Sequence, residues 1–210
     1  MAECSLCHSM DVQLLERGDD RIYYSCNVCS LIFADPQHHL TPEQEKERYL
    51  SHRNSLDDEN YLRFLKKAVD PAILNFDKDM RGLDYGCGPV AAIQHILKSQ
   101  NIYCDSFDPF FLTEVLSPPY DFIFSTEVFE HFFNPAEEMK KLDKMLKPNG
   151  FLIVMTAFHP GPDHFNAWYY KRDPSHVCFY DLNTFKYICK QYDYKQIYTD
   201  NNRVVILRKV

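Results

Sequence analysis

The sequence predicts an α/β protein. A mostly parallel sheet is covered by helices, ends in a C-terminal antiparallel hairpin strand, and is preceded by helices and a small cysteine-bound module. Three observations carry this expectation. From residue 81 onward, strand-like and helix-like segments alternate, the signature of a parallel sheet with crossover helices. In that half, the stretch Gly82-Leu83-Asp84-Tyr85-Gly86-Cys87-Gly88-Pro89-Val90-Ala91 ends an apolar run on a carboxylate and passes two spaced glycines into a helix-like segment. Ahead of it, Cys4-x2-Cys7 and Cys26-x2-Cys29 form two knuckles with eighteen residues between them.

The 210 residues are 45% hydrophobic and 25% charged, which fits one ordinary globular domain with an appendage. Three regions are expected: 1–35 around the cysteines, 36–78 as linker and helical arm, and 79–210 as the α/β domain. A net charge of −7 argues against a broad basic surface, so non-specific nucleic-acid binding is not expected. The longest apolar runs fall far short of the ~20 residues of a membrane span. The start, Met-Ala-Glu-Cys, has no basic or apolar leader pattern, and four of the eight cysteines have metal spacing; both suggest a reducing, cytoplasmic setting.

Taken in order, Cys4, Cys7, Cys26 and Cys29 can supply four thiolates to a closed tetrahedral zinc site; two redox CxxC pairs are the alternative. Val12–Leu15, the turn residues Gly18-Asp19-Asp20 and Arg21–Tyr24 read as a hairpin between the knuckles. The pattern resembles a zinc ribbon, and ribbons also serve as protein-contact modules. With almost no core of its own, such a segment is expected to depend on its metal. Thr41 is an N-cap with Gln44 completing a capping box, starting a helix through Tyr49. A second helix is expected from about Asp58, with Tyr61, Leu62, Leu65, Ala68 and Val69 on one face, stopping near Pro71. Between them, Tyr49 to Asn54 is either a capped surface loop or an arm that folds over a ligand with Tyr49, His52 and Asn54.

In the α/β half, strands are expected at 81–85, 101–107, 121–126 and 150–157, and helices at 89–99, 135–146 and 181–191. Gly86 and Gly88 allow backbone angles closed to other residues, and Pro89 suits a first helical turn. Tyr194–Thr199 and Arg203–Arg208 form the terminal hairpin around Asp200-Asn201-Asn202.

Residues 81–210 resemble the class I, Rossmann-like methyltransferases that use S-adenosylmethionine. Leu83 to Gly88 looks like the family's first motif, and Asp108 follows the second strand. Tyr120 to His131 looks like the fourth strand and its active-site loop, and Leu146-Lys147-Pro148-Asn149-Gly150 like the turn into the fifth strand. The resemblance implies cofactor contacts from Asp84, Tyr85, Gly86, Cys87 and Gly88, from Asp108 with Pro109 at the ribose hydroxyls, and from Ser125, Thr126 and Glu127. Asp105 competes with Asp108 for the ribose role. Val90 replaces the usual third small residue, and the short stretch before Asp121 leaves the third strand reduced or lost.

The implied reaction is methylation of a small-molecule oxygen or nitrogen, with His131, Glu130 and His176 as catalytic candidates. Some ubiquinone-pathway and small-RNA O-methyltransferases look similar at Glu127-x-x-Glu130-His131, which suggests a second divalent ion there with His176 as a further ligand. If a helix starts at Glu127, the three side chains share a face. The aromatic segment 158–180, with Phe158, Phe165, Trp168, Tyr169, Tyr170, Phe179 and Tyr180, is expected either to close over the acceptor as a lid or to be a buried crossover. Two other functions remain open. Gly86-x-Gly88-x-x-Ala91 with Asp108 about twenty residues on also satisfies a dinucleotide fingerprint for an NAD(P) enzyme. The chain could also be a non-catalytic binding module working through its ribbon. Against the dinucleotide, two carboxylates near the rim suit an ammonium, a sulfonium and a diol better than a pyrophosphate.

Overall fold

The protein is described here as a computed structural model covering residues 2–15, 21–51, 54–113 and 116–210. Three short strands come first: β1 (Val12–Leu14), β2 (Tyr23–Cys26) and β3 (Ile32–Ala34). Helices α1 (Pro42–Leu50) and α2 (Glu59–Ile73) follow. Then come β4 (Arg81–Tyr85), α3 (Ala92–Lys98), β5 (Tyr103–Phe107), β6 (Tyr120–Thr126), α4 (Pro135–Met145) and β7 (Leu146–Met155). The chain ends with the short α5 (Pro162–Phe165), β8 (Cys178–Phe179), α6 (Leu182–Gln191), β9 (Tyr194–Thr199) and β10 (Val204–Lys209).

The main sheet has the order β5-β4-β6-β7-β10-β9. Its first three pairings are parallel, while β10 runs antiparallel to both β7 and β9, as the terminal hairpin predicts. Alternate residues of each strand supply two cores. Ile123, Leu152, Val154, Val205 and Leu207 pack with α4 and α6, whereas Phe122, Phe124, Ile153, Val204 and Ile206 pack under α2 and α3. Among the described residues no strand lies between β5 and β6, so the expected reduction of the third strand holds. No helix of the described residues is long and apolar enough to cross a membrane.

Local chemistry explains the helix boundaries. Thr41 accepts from the Gln44 N–H at 3.4 Å and Gln44 returns the bond to the Thr41 N–H at 2.9 Å, a complete capping box. Asp58 caps α2 by accepting from the Asn60 and Tyr61 N–H groups. Three expectations need correction. Helix α2 runs through Pro71 to Ile73, because one missing N–H in a last turn is offset by burial of Val69 and Ala72. Helix α3 starts at Ala92, not Pro89: Ala91 is left-handed at φ 45°, so Pro89 belongs to the loop. Strand β7 begins at Leu146, with an irregularity between Tyr120 and Phe122 in its pairing to β6.

The largest correction concerns residues 1–35. Strands β1 and β2 form the expected hairpin, though Gly18-Asp19-Asp20 lies outside the described residues. The sheet does not end there. Its order is β1-β2-β3-β8, with Ile32 opposite Phe179 and Phe33 opposite Cys178. Cys4, Leu6, Leu31, Ile32 and Phe33 share one buried cluster with Phe165, Phe179, Tyr180 and Phe185. A boundary at 35 therefore does not separate two cores.

Candidate active site

Strand β4 delivers the chain into a tight loop held by the edge of β5: the Gly86 and Cys87 N–H groups both donate to the Phe107 carbonyl, at 2.8 and 3.1 Å. The Gly88 N–H donates to Asp108 Oδ2 at 3.0 Å, and Asp108 Oδ1 accepts from the Phe110 and Phe111 N–H groups. One carboxylate thus fixes both rims. Gly86 has φ 81°, and a Cβ there would lie 2.5 Å from Val128 Cγ2. Gly88 has φ 62°, but a Cβ there would meet nothing within 4 Å. The space beside Gly88 is a cavity of about 810 Å³, walled by the loop, by Phe107–Phe111, by residues after β6, and by Tyr49, Asn54 and Tyr61 from the helical arm. His52, the third arm residue expected, lies outside the described residues.

Tyr85, Gly86, Cys87, Gly88, Asp108, Pro109, Thr126 and Glu127 all line this cavity. Asp84 and Ser125 do not. Asp84 is 1% exposed with neither oxygen hydrogen-bonded, and burial, then the nearby Asp108 charge, pushes its pKa up to about 8. Ser125 is fully buried with its hydroxyl unpartnered. The motif order finds their strands, but both side chains are buried and neither lines the cavity. Asp105, the competing ribose candidate, pairs with Arg81, accepts from the Tyr120 hydroxyl and does not line the cavity.

The inner end of the cavity is built by the turn after β6 and by residues 170–176. Glu127 has φ 55°, Phe129–His131 is a single 3₁₀ turn, and α4 starts only at Pro135 behind the Asn134 cap. No helix starts at Glu127, so the helical face that would be shared by Glu127, Glu130 and His131 does not form. Glu127 accepts from Arg203 at 3.3 Å and from the Tyr170 hydroxyl at 3.1 Å. The same hydroxyl is bonded to Glu130 Oε1, while Glu130 Oε2 is buried without a partner. Burial pushes both carboxyls well above the ordinary range; Tyr170 opposes the shift at each. His131 Nδ1 meets the Ser175 carbonyl at 3.0 Å, and His176 Nδ1 meets the Tyr170 carbonyl at 2.7 Å. A carbonyl only accepts, so each imidazole carries its proton on Nδ1 and leaves Nε2 as a bare lone pair. Burial lowers the His131 pKa to about 4 and, helped by His131, that of His176 to about 3, so both rings are neutral at pH 7. Ligand atoms of Glu130, His131 and His176 lie within 4.8 Å of one another; Glu127 is not in that group.

A family model described as a methyltransferase domain matches residues 49–199, most of the chain and every strand of the main sheet except β10. The chain belongs to that family, the class I, S-adenosylmethionine-dependent methyltransferases. Solved structures share its fold. The 1,6-didemethyltoxoflavin-N1-methyltransferase of Burkholderia thailandensis, solved with 1,6-didemethyltoxoflavin and S-adenosylhomocysteine, has 12% identity and a TM-score of 0.58, with 94% of this chain and 99% of that one covered. The N-methyltransferase NodS of Bradyrhizobium japonicum, solved with S-adenosylhomocysteine, has 15% identity and a TM-score of 0.54, covering 79% and 97%. The CurJ carbon methyltransferase has 11% identity and a TM-score of 0.50; the match covers 78% of this chain but only 57% of that one. No curated protein sequence gives a significant match.

In this methyltransferase the aromatic segment is mainly a crossover, not a lid. Phe165, Phe179 and Tyr180 are fully buried, and Trp168 packs on Phe165 and Phe179, toward the cysteine sheet. Only Tyr170, Asp173 and His176 reach the cavity. Sequence reasoning missed several wall residues. Glu45 accepts from Tyr49 across one helical turn at 3.0 Å, and Glu138 accepts from the Tyr85 hydroxyl at 2.6 Å. The spacing of Glu45 and Tyr49 was a usable signal; the Tyr85–Glu138 contact, between distant elements, had none. In the cysteine module, Sγ of Cys4 lies 3.5 Å from that of Cys29, and Sγ of Cys7 lies 3.4 Å from that of Cys26. All four fall within 4.8 Å of one another. Tetrahedral zinc with Zn–S bonds of about 2.3 Å needs S···S separations of about 3.8 Å, so the set fits such an ion.

Proposed function

We propose that this methyltransferase transfers a methyl group to an oxygen or nitrogen of a small-molecule acceptor held beneath Glu130, His131 and His176. The observation that carries the reading is the bare Nε2 of a neutral His131 in the cavity wall. Such a lone pair can take the proton that the acceptor O–H or N–H must lose. S-adenosylmethionine supplies an electrophilic methyl on a sulfonium, so the protein's work is to hold, orient and deprotonate. The open space at Gly88 and the carboxylate of Asp108 fit the cofactor: the glycine admits it to the main chain, and Asp108 has lone pairs left for ribose hydroxyls. Holding the acceptor in line lowers the barrier by several kcal/mol. The N-methyl chemistry in the names of two structural neighbours supports nitrogen as one acceptor atom.

The four cysteines are read as ligands of a structural zinc ion, a closed site with no catalytic part. A second reading is favoured by one observation: Glu130, His131 and His176 each offer a ligand atom, and these lie within 4.8 Å of one another. They could hold a divalent ion that acidifies the acceptor. The test is mass spectrometry of ligand retained on the purified protein, followed by a methyl-release screen over metabolite pools. With an acceptor found, His131→Ala should lower kcat by ~10²–10⁴ with cofactor affinity unchanged. Loss with EDTA and rescue by one metal favours the ion, chelator-insensitive turnover the base, and full activity in His131→Ala contradicts both.

A further inference from the structure

The acceptor end of the cavity is split between two supports. Glu127, Glu130 and His131 follow β6 of the main sheet, but Tyr170, Asp173 and His176 stand on the segment leading into β8, and β8 belongs to the cysteine sheet. Several hydrogen bonds link that segment to the cysteine sheet. The Ala34 N–H donates to the Val177 carbonyl at 2.8 Å, just before the β3–β8 pairing begins. Two residues before β2, Arg21 Nη1 lies within donating distance of the carbonyls of Asp173 and His176, at 3.2 Å each, and of Pro174 at 3.4 Å. Tyr23 in β2 reaches the Lys171 carbonyl at 3.4 Å, and its ring packs on Phe165 and Phe179. The Val177 N–H, in turn, donates to the Glu130 carbonyl at 2.8 Å, joining the two supports.

We propose that the four-cysteine sheet positions the acceptor wall, with Arg21 as the positioning residue that holds the 173–176 turn so that His176 keeps its Nδ1–H on Tyr170. The proposal rests on reading this end of the cavity as the acceptor site. Three carbonyls converge on one guanidinium nitrogen, Nη1, whose two N–H bonds are shared among them, so the contact holds the turn's backbone instead of any one side chain. The turn then carries the carbonyl of Ser175 to His131 and keeps the ring of His176 4.8 Å from that of His131. Both imidazole tautomers, and with them both bare lone pairs, depend on it. The cofactor cradle does not: its bonds come from β4, β5 and the Asp108 turn alone. The two halves of the site are therefore separable by mutation.

The test uses the full chain as purified, with S-adenosylhomocysteine as probe, and reads two signals. Calorimetry reports the cradle. Long-range ¹H–¹⁵N correlation of the histidine rings reports the tautomers of His131 and His176. Arg21→Ala should keep S-adenosylhomocysteine affinity within about twofold while the His176 ring moves from a fixed Nδ1–H pattern to a mixture, and Arg21→Lys should restore the pattern only in part. Displacing cysteine-bound metal with an organomercurial should change emission of Trp168, the sole tryptophan, before S-adenosylhomocysteine binding is lost. An unchanged His176 pattern in Arg21→Ala overturns the proposal. So does a fall in affinity of more than tenfold alongside it, since the effect would then be global. If the unaltered protein fails to bind S-adenosylhomocysteine, the methyltransferase reading fails instead.

Discussion

Gly86 and Gly88 sit two residues apart in one loop, yet a side chain at each would fail for a different reason. At Gly86 a methyl group collides with Val128 on the protein side, and φ is positive. At Gly88 it enters open space that belongs to the ligand, at the cost of a left-handed backbone worth ~1–3 kcal/mol. Gly86→Val should therefore lower the melting temperature strongly, whereas Gly88→Ala should fold and lose at least tenfold in cofactor affinity, over ~1.4 kcal/mol. Thermal melts and calorimetry on the two variants separate the effects; equal affinity in Gly88→Ala contradicts the cradle. Asp84 makes a pH prediction. Its folded pKa of about 8 lies above the ordinary 3.8, so the native chain keeps a proton that the unfolded chain has released. The sign follows: this group's contribution to stability is intact below pH 3.8 and is lost as pH rises to about 8. In the ligand-free protein Asp84→Asn should flatten that fall, measured by denaturant unfolding at pH 5 and pH 8; a steeper fall in the variant contradicts the assignment. The glycines and Asp108 were legible because backbone demand is written in residue type. The burial of Asp84 and Ser125 was not, because a motif gives position along a strand and not what the side chain faces.

At the level of elements, the arm closes the site through one ion pair. Arg48 in α1 reaches both carboxylate oxygens of Asp173, the shortest contact being 2.6 Å. Burial alone would raise Asp173, but the bonds from Arg48 and Ser175 outweigh it and hold its carboxyl well below the usual range. That stability is present above the ordinary value of 3.8 and is lost as pH falls through the folded pKa. Since Arg48 is over a third exposed, Arg48→Ala should cost only about 1 kcal/mol at pH 7, with the two proteins converging in acid, and should raise the cofactor's dissociation rate. Denaturant melts and stopped-flow release check both; an unchanged off-rate shows the arm does not gate the cavity. The capping boxes and helix faces were readable here because their partners lie within four residues. The turn at Glu127–His131 left the condition of a helix start open, since nothing local in Glu-Val-Phe-Glu-His shows that Glu127 takes a positive φ.

Across the whole molecule, the two sheets share one core, which changes what metal loss should do. The sequence suggests a detachable ribbon, because the pairing of Ile32 with Phe179 joins chain segments too far apart for any local pattern to register. With Cys4, Cys26 and Cys29 buried in the same cluster as Phe179 and Tyr180, removing the ion should lower the melting temperature of the whole chain. Elemental analysis should find about one zinc per chain, and its absence from protein purified without chelator contradicts the assignment. The parallel sheet and its terminal hairpin, by contrast, were legible almost strand by strand from alternation alone. The most direct test of the account is calorimetric titration of the purified, ligand-stripped protein with S-adenosylhomocysteine and, separately, with NAD(H). The account predicts one S-adenosylhomocysteine site per chain, weakened at least tenfold by Gly88→Ala, and no heat from the dinucleotide. A folded protein that ignores S-adenosylhomocysteine, or binds the dinucleotide in the same cradle, would contradict it.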